Sequence, residues 1–131
     1  MERISDTFPF TLVRDVIINP KTDYVARIKS AGVTDKESFS REIGAKLRFP
    51  YWDNPNWDGF NDWMTDLSWI PNQRVILLHE GTPKISRQDL VIYLDIALSA
   101  VSILVRDGRT LLVAFPEQSR ALNDALAGVK R

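Results

Sequence analysis

The chain has 131 residues, 44% of them hydrophobic, enough for a single domain over residues 1–131 with a sizeable core. Its 17 acidic and 17 basic residues cancel, so net charge points neither to a nucleic-acid binder nor to a polyanion. Cysteine is absent, which excludes disulfides, thiol catalysis and iron–sulfur clusters, and is compatible with the cytoplasm.

The first residues, MERISDTFPFTLVRD, contain no apolar core of signal-peptide length, so a soluble cytoplasmic protein is expected. Phe8 to Ile18 is rich in β-branched and aromatic residues and predicts an extra strand, ended by the turn signal Asn19-Pro20. Tyr24 to Ile28 predicts a strand. Thr34 and Glu37 in the run T-D-K-E match a capping box and open a helix to about Leu47. Phe39, Ile43 and Leu47 give that helix its apolar edge, and Pro50 is expected to stop it.

The next stretch, FPYWDNPNWDGFNDWMTDLSWI from Phe49 to Ile70, holds four Asp, four Trp and no positive charge. A helix starting at Asn56 as N-cap and ending before Pro71 puts Asp58, Asp62 and Asp66 at i, i+4 and i+8, one stripe of carboxylates. Trp57, Phe60, Met64 and Leu67 fall on the opposite, core-facing side. Asp58 in the first turn suits the helix dipole. The loop before it presents Tyr51, Trp52 and Asp53.

Arg74 to Leu78 predicts a buried strand of the parallel type. Ser86 and Asp89 open a long helix to about Arg106. Its apolar run, Leu90 to Val105, is broken by Asp95 and is shorter than the roughly 20 residues of a membrane span, so it predicts a core helix. Asp107-Gly108 turns the chain into a strand at Thr110–Phe115. Leu122, Ala125, Leu126 and Val129 then mark a short amphipathic helix. The order β-αα-β-α-β predicts an α/β layer of parallel strands joined by helical crossovers.

Catalytic signals are few. His79 is the sole histidine, and a lone His at a strand end has a structural role more often than a chemical one. The six glycines are scattered and make no phosphate cradle. Asp58 and Asp62 could bind Mg²⁺ or act as paired acids, but further oxygen ligands are missing around them. The bland account of the Asp stripe is a solvated helix face. Against it stand the lack of any compensating cation within the helix and the aromatic loop beside it, a combination typical of binding surfaces.

The segment Pro50, Trp52, Asn56, Trp57, Asp58, Gly59, Phe60, Asn61 and Asp62 resembles the signature of the barstar family, and the order of elements from Tyr24 to Phe115 is similar as well. The resemblance implies a small three-stranded parallel sheet, order 1-2-3, with helices packed on it and a family-like core of about residues 23–116. An extra N-terminal strand and a C-terminal helix are additions to that core. It implies a ribonuclease inhibitor or immunity protein, not an enzyme, that plugs the basic active site of a ribonuclease or ribonuclease toxin and needs no cofactor or metal. Asp58 and Asp62 would imitate substrate phosphates, and Trp52 would cover the catalytic histidine of the target. Asp53, Asn56, Asn61 and Asp66 complete the expected contact set.

Three positions depart from the family pattern. Asp53-Asn54 stands where an aromatic and a glycine are usual, Asn61 where a bulky Trp is usual, and Ile103 where a later Glu makes contact. They keep open an alternative, a non-enzymatic binding module whose partner is not a nuclease. The long apolar helix Leu90–Val105 leaves room for a third, a structural subunit with a hidden dimer face. A monomer without direct nucleic-acid or membrane contact is expected.

Overall fold

The structure is a computed structural model that describes residues 8–50 and 56–129. In chain order its elements are β1 (Thr11–Leu12), a 3-10 turn (Val13–Asp15), β2 (Asp23–Ile28), α1 (Lys36–Lys46), α2 (Trp57–Met64), β3 (Arg74–His79), α3 (Arg87–Arg106), β4 (Thr110–Phe115) and α4 (Arg120–Ala127).

All strand pairs are parallel, in the order β1-β4-β3-β2. The three expected strands, β2, β3 and β4, lie side by side in chain order. The extra N-terminal strand also forms, next to β4, but only Thr11 and Leu12 join the ladder, opposite Ala114 and Phe115. After Leu12 the chain leaves the edge and crosses one face of the sheet. There Val13, Val16 and Ile18 pack on Ile76, Leu78 and Ala114. Covering apolar side chains outweighs extending the edge ladder, which is why the run from Phe8 to Ile18 is not one long strand.

Strand alternation assigns the two faces. Val75 and Leu77 of β3, with Leu111, Val113 and Phe115 of β4, face the helices and form the main core. α3 runs along that core and buries Leu90, Tyr93, Leu94, Ala97, Ala100 and Leu104, while Asp95 and Arg106 stay exposed. By length and composition α3 could cross a bilayer. Here its apolar stripe is spent on the sheet and on α2 and α4.

His79 extends the helix-facing side of β3 and is buried. Its Nε2 lies 2.7 Å from the Tyr93 hydroxyl, and its ring stacks on Phe115 at 4.4 Å and 4°. Burial drives its pKa down to about 3 and pushes that of Tyr93 up, so both groups stay neutral at physiological pH. The histidine has the structural role expected of it.

The start of α1 and the cause of its end differ from expectation. The capping box of α1 is formed by Asp35 and Ser38, one residue later than Thr34 and Glu37. Asp35 Oδ1 accepts from the Ser38 N–H at 2.8 Å, while Ser38 Oγ accepts from the N–H groups of Asp35 and Thr34. Ser38 is short enough to bond both, leaving Glu37 free to pair with Arg41 at 3.0 Å. At the other end α1 stops at Lys46 with Leu47 as C-cap, where expected, but Pro50 is not what stops it. Arg48 adopts a left-handed φ of 54°, and Phe49 N–H bonds back to the Gly44 carbonyl. The backbone turn breaks the helix before the proline is reached.

Candidate functional site

Asn56 caps α2 as expected, its Oδ1 accepting the Gly59 N–H at 2.8 Å. The inner side of the helix is locked to the core. Phe60 and Met64 are fully buried, and Phe60 meets Trp57, Phe49 and Tyr93 edge to face at 5.3, 5.8 and 6.0 Å. Trp57 is only half-buried because its indole N–H reaches out of the core to Asp89 Oδ1 at 3.1 Å, in the first turn of α3. Trp63 packs edge to face on Trp69, whose own N–H bonds the Leu47 carbonyl at 2.8 Å. Both tryptophans serve the framework.

The outer side carries Asp58 and Asp62, both exposed, with Asn61 half-buried beside them. One helical turn separates the acids, about 5–6 Å between Cβ atoms. Among the described residues the ion pairs are Glu37–Arg41, Glu42–Lys46, Asp23–Arg74 and Asp124–Arg87. None involves Asp58 or Asp62, so the described residues supply no cation to either. Nor do three His, Asp or Glu side chains converge as a metal site among the described residues.

Asp66 departs from the stripe. α2 ends at Met64 with Thr65 as C-cap, and Leu67 takes a left-handed φ of 51°. Asp66 is exposed in the turn that follows, where its carboxylate accepts the Ser68 N–H at 3.3 Å. The helix is therefore two turns long, and Leu67 stays fully buried in its left-handed conformation. Trp52 and Asp53 lie outside the described residues. Ile103 is half-buried on α3 and brings no carboxylate to the site.

Gly59 sits in the exposed first turn, between the two acids. A Cβ there would meet only Asn56 Oδ1, at an ordinary 3.5 Å. Nothing within the described chain therefore demands glycine, although it is a poor helix former.

Two positioning groups were not visible in the sequence. Asp89, read there only as part of a helix start, also anchors Trp57. Arg109 spans the gap between the start of β4 and the turn after α2. It donates to the carbonyls of Leu67 at 2.8 Å, Ile70 at 2.6 Å and Asn72 at 2.8 Å. Both contacts join residues more than 30 positions apart, which no local pattern reveals.

A parallel α/β sheet with helices packed on it carries a short acidic helix whose Asp58 and Asp62 are exposed among the described residues. Comparison with known families matches the one described as barstar (barnase inhibitor) to residues 24–116, and the chain belongs to the barstar family. No curated protein and no solved structure matches it. The family is one of inhibitors, so at that level the chain is a binding protein and not an enzyme.

Proposed function

We propose that this protein inhibits a ribonuclease by inserting the outer face of α2 into a cationic active site. The observation that carries the proposal is the pair Asp58 and Asp62, exposed and without an ion-pair partner among the described residues, on a helix fixed from behind by Phe60, Met64 and Trp57. A nuclease site is shaped and charged to hold phosphates. Two carboxylates one turn apart meet the same positive field but offer no phosphodiester to cleave. A fixed helix also loses little conformational freedom on binding. Asn56 and Asn61 flank the acids, Trp52 and Asp53 belong to the preceding loop, and Asp66 lies at the rim. The protein acts in the cytoplasm as a monomeric immunity factor against a ribonuclease toxin, binding the enzyme and not the RNA.

The test is titration of the protein against a panel of guanyl-preferring ribonucleases and ribonuclease toxins, at low and moderate salt. Stoichiometric inhibition of one member, abolished in an Asp58→Ala/Asp62→Ala variant, is the expected result. Binding of a member without loss of its RNA cleavage would replace inhibition with the alternative, a module that captures a partner elsewhere.

A further inference from the structure

β1 and β4 are parallel neighbours whose chains leave the sheet on opposite sides. Beyond Leu12 the chain turns onto the face of Ile76, Leu78 and Ala114. Beyond Phe115 it leads to α4, whose Leu122 and Ala125 join the main core on the other face. Such a divergence opens a crevice outside the carboxyl ends of parallel strands, the place where open α/β sheets hold their ligands.

A cavity of about 230 Å³ lies at this crevice, lined by Val13, Pro116, Leu78, His79, Glu80 and Arg27. Val13 directly follows β1, Pro116 follows β4 and Glu80 follows β3, while Arg27 is the penultimate residue of β2. Strand alternation puts Arg27, Leu78, Glu80 and Pro116 on one face, the face that Val13 covers. Val13, Leu78 and Pro116 supply the apolar wall. Arg27 stands beside Leu78 in the register, and Glu80 comes two residues further along. Strand spacing and rise set the Cα atoms of Arg27 and Glu80 about 8 Å apart. Both side chains are exposed, and neither makes an ion pair among the described residues. Glu80 Oε1 accepts the Ser30 N–H at 3.3 Å.

We infer that this cavity binds a free α-amino acid with an apolar side chain. Such a molecule carries a carboxylate and an ammonium on one carbon, which match a guanidinium and a carboxylate that do not pair with each other. Its side chain covers Val13, Leu78 and Pro116. The lining charges cancel, as do those of the zwitterion, so none is left unmet on binding. A simple anion would face Glu80 as a like charge, and a simple amine would face Arg27 in the same way. The volume falls below the roughly 300–1,000 Å³ of drug-sized sites, which suits an occupant as small as one amino acid. The cavity lies on the face of the sheet opposite α2, so the occupant leaves the acidic helix free.

The test titrates the full chain with leucine and follows the backbone amide signals of Val13, Leu78 and Glu80 by NMR. Isocaproate and isoamylamine, which are leucine without its ammonium and without its carboxylate, are titrated beside it. Leucine is expected to shift the three amides saturably at millimolar concentration or below, and each analogue to bind at least about tenfold more weakly. Arg27→Gln and Glu80→Gln should each weaken leucine binding at least about tenfold. Both positions are exposed, and the amide of Leu77 on the other face of β3 reports that the sheet is intact in the variants. Absence of a saturable shift with leucine overturns the proposal. So does either analogue binding as tightly as leucine, or leucine affinity unchanged in either variant.

Discussion

The indole N–H of Trp57 donates to Asp89 across 3.1 Å, tying the first residue of the acidic helix to the first turn of α3. Removing the acceptor leaves a half-buried donor unpaired. Asp89→Ala is therefore expected to lower the free energy of unfolding by about 1–2 kcal/mol. Asp89→Asn, which keeps an oxygen in place, recovers most of that loss. Urea denaturation of the three proteins measures both effects.

Asp62 should matter for binding and little for folding. It is exposed and has no ion-pair partner within the described chain. Asp62→Ala is expected to weaken capture of the ribonuclease target by at least about 2 kcal/mol while shifting stability by no more than about 0.5 kcal/mol. The association rate of the parent should fall as salt rises, and the variant should show a shallower fall, because one steering charge is gone. Stopped-flow association at several salt concentrations reads both slopes.

Gly59→Ala separates the needs of the chain from those of its partner. A Cβ at this position fits without crowding, and alanine favours the helix. The variant should be more stable by about 0.5–1 kcal/mol. Affinity for the target should nevertheless drop, since the new methyl group stands beside the stripe of the two acids. Thermal unfolding and calorimetric titration should move in opposite directions.

Arg109 holds the turn in which Leu67 adopts its left-handed conformation. Three backbone carbonyls lose their donor in Arg109→Ala, and the strain at Leu67 loses its nearest restraint. A loss of about 2–3 kcal/mol in stability is expected. Arg109→Lys keeps the charge but cannot reach all three acceptors, so it should recover only part of it.

His79 predicts a pH dependence whose sign follows from its burial. In the unfolded chain the ring takes a proton below its ordinary value of 6.5, whereas in the native chain it does so only near about 3. The native state is thus fully favoured above 6.5 and loses stability as pH falls through this window, by up to about 1.4 kcal/mol per pH unit. Asp23 and Asp35 are held below the ordinary carboxylate value chiefly by the N–H groups of Asn19 and Ser38, so they act at lower pH. The window between about pH 5 and 6.5 belongs to the histidine. His79→Gln should be less stable at pH 7 but flatter across that window in urea titrations.

Much of this was legible in the sequence because it is local. The strands at Tyr24–Ile28, Arg74–Leu78 and Thr110–Phe115 announce themselves by apolar runs between turn signals, and Asn56 and Ser86 by capping chemistry. The exposed acids of α2 follow from helical spacing once Asn56 is placed. Asp66 did not, because spacing alone cannot show that the helix ends at Met64 and that the chain turns at Leu67. The Asp35–Ser38 cap was misplaced by one residue because T-D-K-E and D-K-E-S both satisfy a capping pattern. The grips of Asp89 and Arg109 on α2 and its following turn depend on tertiary approach and leave no local trace.

Ancestry and solvent draw the limits of this molecule differently. The family match starts at residue 24, yet Val13, Val16 and Ile18 shield Ile76, Leu78 and Ala114 from water, and Arg74 fastens this cover by donating to the Ile17 carbonyl. Cut at the inherited boundary, the protein would keep the whole of α2 and lose the back wall of its sheet. What remained would carry the acidic helix on one side and a bared apolar surface on the other. The upstream residues that ancestry leaves out are the ones that cover this face of the inherited part.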